Sequence, residues 1–178
     1  EAKTDAVSSV RLLTQPTILL GFLFFLVLAM GLIGFKTMGP TALYEGWSLS
    51  VALSGNAIAL FSVAGVAGIA AGGVWADKSK AHSRNAFFCF CAAGVFIIAL
   101  PVLMAQGFLL FCLLFAGGFS FGLALPNRDL FIRSLTPKGA SGRVFGFIYS
   151  GLDLGASLTP VLFGYLMDLG RPETVIYA

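Results

Sequence analysis

Charge is what this chain has least of. Asp, Glu, Lys and Arg together make up 11% of its 178 residues, where soluble globular domains carry about a quarter. There is one histidine, His82, and three cysteines, Cys89, Cys91 and Cys112. The lone histidine falls in a polar stretch between two apolar runs, which leaves no serine–histidine pair for nucleophilic catalysis within those runs. The cysteines sit inside apolar segments, where a thiol packs as a small hydrophobe. Cys89 and Cys91 point to different faces of a helix, an awkward spacing for chelation. No metal and no cofactor is therefore expected. A Gly-rich phosphate-binding loop ending in Lys-Ser/Thr is also missing, which excludes nucleotide hydrolysis by these residues.

What the chain has is apolar length. Hydrophobic residues make up 58%, 18 of them Phe, and the mean hydropathy is +0.93. The runs 18–35, 51–75, 86–105 and 107–125 carry no charge, and 144–167 carries only Asp153. Each is close to the ~20 residues that a helix needs to cross ~30 Å of hydrocarbon. Residues 86–125 are uncharged throughout and would span ~60 Å as one helix, so they are read as two crossings joined by a tight hairpin at Gln106 and Gly107. The fold class is an all-α integral membrane bundle with five full spans. The tail turns apolar again after Pro172, and 173–178 is read as the start of a sixth.

The basic residues set the orientation. With the N-terminus inside, Lys3, Arg11, Lys78, Lys80, Arg84, Arg128, Arg133, Lys138 and Arg143 fall on the inner side, leaving Lys36 and Arg171 outside. Lys and Arg are retained on the cytoplasmic side, so the N-terminus is expected to be cytoplasmic. The net charge of +3 then reflects topology and not affinity for nucleic acid. Tyr44, Trp47 and Trp75 lie where interfacial aromatic rings belong, and Lys36 can snorkel from the outer end of the first span. No charged-then-apolar leader precedes that span, so no signal peptide is expected. The chain begins at Glu1 and is expected to be part of a longer protein.

Small residues form stripes within the runs. Ser62, Gly65, Gly68 and Gly72 fall on one face of the second, and Gly151 and Gly155 stand at Gly-x-x-x-Gly spacing in the fifth, so that neighbouring backbones could approach closely. These stripes fit either static bundle packing or faces that rock. Pro101 and Pro160 each remove a backbone amide late in a span, which favours kinks.

Two groups carry chemistry. Asp153 is the one carboxylate inside an apolar run, ~13.5 Å beyond Val144 at ~1.5 Å per residue, close to the midplane. An ionisable group at that depth is costly and marks ion or substrate pathways. Helical spacing places Gly146, Tyr149, Ser150, Ala156, Ser157 and Pro160 near it. Asp153 either exchanges a proton or holds a cationic solute group, or it makes a structural bond to a base elsewhere. Asn56, the other polar residue at depth, is either a helix–helix hydrogen bond or a solute contact.

The second group is the loop after the second span, Gly73-Val-Trp-Ala-Asp77-Lys78-Ser-Lys80-Ala-His82-Ser-Arg84. It resembles the signature loop of the major facilitator superfamily, Gly-x-x-x-Asp-Arg/Lys-x-Gly-Arg-Arg/Lys, at Gly73, Asp77 and Lys78. Arg84 supplies the distal base two positions late, and Ser79–His82 departs from the pattern. Pro126-Asn-Arg-Asp129, Gly142-Arg143-Val-Phe-Gly146 and the series Gly151, Gly155, Pro160, Gly164, Asp168 look like the same family's fourth-to-fifth span region. The resemblance implies the C-terminal six-helix half of a twelve-span secondary transporter, with 1–16 a cytoplasmic interdomain segment and 17–178 the transmembrane domain. It further implies alternating access in the plasma (inner) membrane, with the bilayer, a small solute, protons and an N-terminal six-helix half as partners. Asp77 is then a gating group that pairs with Lys78, with Arg84 or with a helix N-terminus of the partner half. Otherwise the loop is a solvated turn whose bases only set topology.

Proton-coupled efflux of a drug or metabolite is the preferred reading. Uptake of an organic anion by the same kind of carrier and a non-transporting scaffold subunit are the alternatives. No enzymatic role is expected, because no second catalytic group lies at depth beside Asp153. A channel would show rings of pore-lining polar groups or a filter loop.

Overall fold

In a computed structural model of the chain, residues 13–103, 107–135 and 141–168 are described. They form five helices: α1 Pro16–Trp47, α2 Val51–Lys78, α3 His82–Val102, α4 Gly107–Leu135 and α5 Ser141–Asp168. Each is long and apolar enough to cross a membrane, as the five apolar runs predict. The interdomain residues 1–12, the hairpin residue Gln106, Lys138 and the start of a sixth span at 173–178 lie outside the described residues.

The helices outrun the apolar stretches. α1 continues past Lys36 and Pro40 to Trp47, and α4 continues past Pro126 to Leu135. Hydropathy marks where hydrocarbon begins and ends, whereas the backbone hydrogen-bond ladder continues into the interface while φ and ψ allow it. Local signals set the ends. Pro16 occupies the first turn of α1, where its missing N–H costs nothing. Ser48 turns left-handed at φ 53° to close α1, and the Ser50 hydroxyl accepts from the Leu53 amide at 3.2 Å to open α2. α4 begins at Gly107 with φ 53°, a region that glycine enters without a Cβ penalty.

α1 to α4 are apolar nearly all round, so an apolar face does not choose their neighbours. Backbone proximity does. α4 packs along α2 and α3, and α5 along α1. The α2 stripe meets a matching stripe on α4: a Cβ on Gly72 would stand 2.8 Å from the Leu123 carbonyl oxygen, and one on Gly68 would strike the Phe119 carbonyl. Gly118 and Gly122 of α4 face the Phe61 and Gly65 carbonyls in turn. The α5 stripe lies on α1, where a Cβ on Gly151 would stand 2.5 Å from the Phe22 carbonyl oxygen, and one on Gly155 would strike that of Leu26. In both seams small residues let backbones meet. Two apolar clusters fill the rest. One joins Phe35, Leu43, Phe61, Leu110, Leu114 and Phe163 toward one end, and the other joins Ile18, Phe25, Ile132, Val144 and Ile148 toward the end that carries the loop after α2.

Candidate functional site

α5 separates its faces more clearly than the other described helices. Val144, Ile148, Gly151, Gly155, Thr159 and Phe163 are buried, whereas Gly146, Ser150, Asp153 and Ser157 are exposed along the opposite side. Their three- and four-residue steps make one stripe. Asp153 lies at the centre of the membrane-length segment Gly142–Tyr165, and among the described residues no side chain bonds its carboxylate. Ser157 Oγ donates to the Asp153 backbone carbonyl at 2.8 Å, and Ser150 Oγ to that of Phe147 at 2.7 Å. Both hydroxyls are thus held against their own helix while staying on the Asp153 side.

The other two residues placed at depth by sequence stand apart from Asp153. Asn56 is exposed on α2, a helix whose close partners are α4 and α1. Tyr149 is one turn from Asp153 but leans toward the start of α5, as helical side chains do. Its hydroxyl donates to Asp129 Oδ1 of α4 at 3.0 Å.

That bond belongs to a cluster whose geometry sequence reasoning missed. Arg128, buried in α4, donates to Asp129 Oδ1 from Nε at 2.9 Å and from Nη2 at 2.8 Å. Its guanidinium lies 4.3 Å from the centre of the Phe25 ring of α1, within cation–π reach. The Phe25 ring also meets Tyr149, with centroids 5.0 Å apart. Arg128 counts among the topology-setting bases by sequence, and the structure makes it a helical, interior residue. The sequence signal was the continued apolar pattern on both sides, with Leu125 before and Leu130, Phe131 and Ile132 after. Arg128 also lines a largely apolar cavity of about 650 Å³ between the starts of α1, α3 and α5 and the end of α4. Asp153 does not line it.

A second polar chain ties the loop after α2 to α4. Asn85 Nδ2 donates to Ser79 Oγ at 2.8 Å and to Asn127 Oδ1 at 3.3 Å, and Asn127 Nδ2 donates to the Leu123 carbonyl at 3.3 Å. Ser79 Oγ also accepts from the Ala81 amide at 3.2 Å. Asn127 is fully buried and Asn85 nearly so. Such amides are tolerated inside only when bonded.

Within the signature loop, Asp77 and Lys78 lie in the last turn of α2 and Arg84 in the first turn of α3, all three exposed. Among the described residues, neither Lys78 nor Arg84 forms an ion pair with Asp77. At the negative end of the α2 dipole, Lys78 is favoured and Asp77 is not. A Cβ on Gly73 would meet nothing within 4 Å, so close approach does not account for that glycine.

Compared with curated proteins and with solved structures, the chain matched nothing. The model of the Major Facilitator Superfamily matches residues 21–178, which takes in α1 from Gly21 onward, all of α2 to α5 and nearly the whole chain. Family members are transporters and not enzymes. With five apolar helices of membrane length behind that match, the chain belongs to the Major Facilitator Superfamily and is a multi-pass membrane protein of the secondary-transporter class.

Proposed function

We propose that this chain supplies the proton-handling half of an exporter of a small drug-like or metabolite solute, working by alternating access in the plasma (inner) membrane with its N-terminus cytoplasmic. The observation that carries the reading is the exposed stripe of Gly146, Ser150, Asp153 and Ser157 at the centre of a membrane-length helix. A carboxylate held against lipid is costly, so this face belongs against water or protein, as at the interface with a second six-helix half. Transporters of this kind place their sites at the midplane between such halves. Asp153 takes up and releases the proton, the hydroxyls of Ser150 and Ser157 border it, and Asn56 offers a further polar contact from α2. Tyr149 contributes through Asp129, to which its hydroxyl is committed. Gly73, Asp77, Lys78 and Arg84 form the cytoplasmic gating loop, with Asp77 free to meet a helix N-terminus of the partner half.

Transport by the full-length protein in proteoliposomes under an imposed pH gradient tests this reading. One pH unit is worth about 1.4 kcal/mol per proton, or roughly a tenfold solute ratio for one-for-one exchange. Asp153→Asn, fixed in a neutral form, is expected to bring the gradient-driven ratio to about one while downhill solute movement persists. Gradient-driven accumulation equal to wild type in Asp153→Asn would remove the proton role.

A further inference from the structure

Three consecutive residues of α4 hold three different parts of the molecule. Asn127 bonds Asn85 of α3, and through it Ser79 of the loop that follows Asp77. Arg128 lies on the Phe25 ring of α1. Asp129 accepts the hydroxyl of Tyr149, one turn before Asp153 on α5. Successive side chains leave a helix ~100° apart, so three neighbours in sequence reach three neighbours in space.

The packing gives this segment its importance. α4 is seated along α2 and α3, whereas α5 is seated along α1; the α2–α4 and α1–α5 pairs are closed by glycine-to-backbone contact. Two groups of helices result, which also meet where α1 packs on α2 and in the apolar cluster of Phe35, Phe61, Leu114 and Phe163. The Asp129–Tyr149 bond and the Arg128–Phe25 contact cross from one group to the other. The Asn85–Asn127 bond stays within one group and ends in the gating loop. Because Asn127 is completely buried, breaking its bond to Asn85 without replacement leaves its desolvated side-chain oxygen unpaired. The segment therefore shifts with its partners more readily than it slips past them.

We propose that Asn127, Arg128 and Asp129 are positioning residues that couple the protonation state of Asp153 to the cytoplasmic loop, through Tyr149 on one side and through Asn85 and Ser79 on the other. This rests on the reading of Asp153 as the proton site and of the loop as the gate. A shift of α5 on proton uptake reaches Tyr149, moves Asp129 with the end of α4, and draws Asn127, Asn85 and Ser79 with it. Among the described residues, the charged and titratable groups bonded along this route are Arg128 and Asp129 of α4 and Tyr149 of α5, and Asp77, Lys78, Lys80, His82 and Arg84 flank its Ser79 and Asn85 end.

The test is hydrogen–deuterium exchange of the amides of 79–86 in the full-length protein in lipid nanodiscs. Exchange is compared between Asp153 and Asp153→Asn in three backgrounds: wild type, Asn127→Leu and Tyr149→Phe. In wild type, Asp153→Asn is expected to change loop exchange about fivefold, the lower end of coupling between distinct sites. In either altered background the ratio is expected to fall below about twofold. A side chain that merely braces the loop would raise exchange alike with and without Asp153→Asn and leave the ratio intact. A full-sized ratio in both backgrounds, or none in wild type, overturns the proposal. Should Asn127→Leu fail to fold, Tyr149→Phe decides, since it removes one hydroxyl and no buried charge. Failure of the proton reading shows separately: proton flux reported by a dye inside proteoliposomes would be unchanged by Asp153→Asn while the loop ratio held.

Discussion

Gly122→Ala will lower the unfolding temperature of the full-length protein in detergent, whereas Gly94→Ala will not. In an exposed helix the exchange of glycine for alanine favours folding by roughly 0.5–1 kcal/mol, because glycine loses more backbone freedom on ordering. Gly94 is half-buried but has room for the methyl, for a Cβ there would meet nothing within 4 Å. At Gly122 the same methyl would strike the Gly65 carbonyl oxygen and stand 2.9 Å from both the Gly65 carbonyl carbon and the Ile69 amide nitrogen. These are backbone atoms of α2 and have no rotamer into which to retreat, so α2 and α4 must separate and lose contact along their common seam. Overpacking of this kind costs about 1–3 kcal/mol, which outweighs the propensity gain and reverses its sign. With the exposed Cys91 and Cys112 replaced by serine, a thiol-reactive fluorophore reads the difference, since Cys89 is buried and becomes reactive on unfolding. Equal midpoints for the two variants would mean that the seam is looser than its geometry.

How much of this was legible in the sequence follows from which interactions are local. Hydrocarbon demands apolar length, so all five spans stand out in composition, and Asp153 stands out by violating it. The glycine stripe of α2 was visible as a face. Its partner was not, because Gly118 and Gly122 lie in a helix that is apolar all round and carries no mark of the side it presents. Lengths were underestimated for a related reason: Lys36 ends an apolar run without ending a helix, and Pro126 is accommodated inside α4. The polar clusters were the least legible. Asn85 and Asn127 are 42 residues apart in the chain, and a pairing over that distance leaves no periodic trace. Arg128 read as a topology signal because a base near the inner end of a span ordinarily is one, and only its burial beneath Phe25 shows a different use.

That burial makes Asp129→Ala the second large effect. Arg128 is 8% exposed, and Asp129 Oδ1 takes both of the hydrogen bonds from its guanidinium. Removing the carboxylate leaves a cation among Phe131, Ile132 and the other apolar walls of the cavity at the end of α4, with the Phe25 ring as its remaining compensation. Breaking a buried pair in this one-sided way costs about 3–5 kcal/mol. The lower end applies here, because the Asp129 side chain keeps 43% of its surface exposed and solvent already weakens the pair. The loss is one of desolvation and not of attraction, so removing both charges together should recover most of it. Arg128→Met with Asp129→Leu is expected to unfold within a few degrees of wild type, well above Asp129→Ala alone, as well-packed apolar replacements of buried pairs do. Tyr149 loses its acceptor in both variants, so the comparison isolates the stranded cation. If the double variant were no more stable than Asp129→Ala, the pair itself would be holding α4 against α1 and α5, and the cost would lie in the lost contact and not in the unpaired charge.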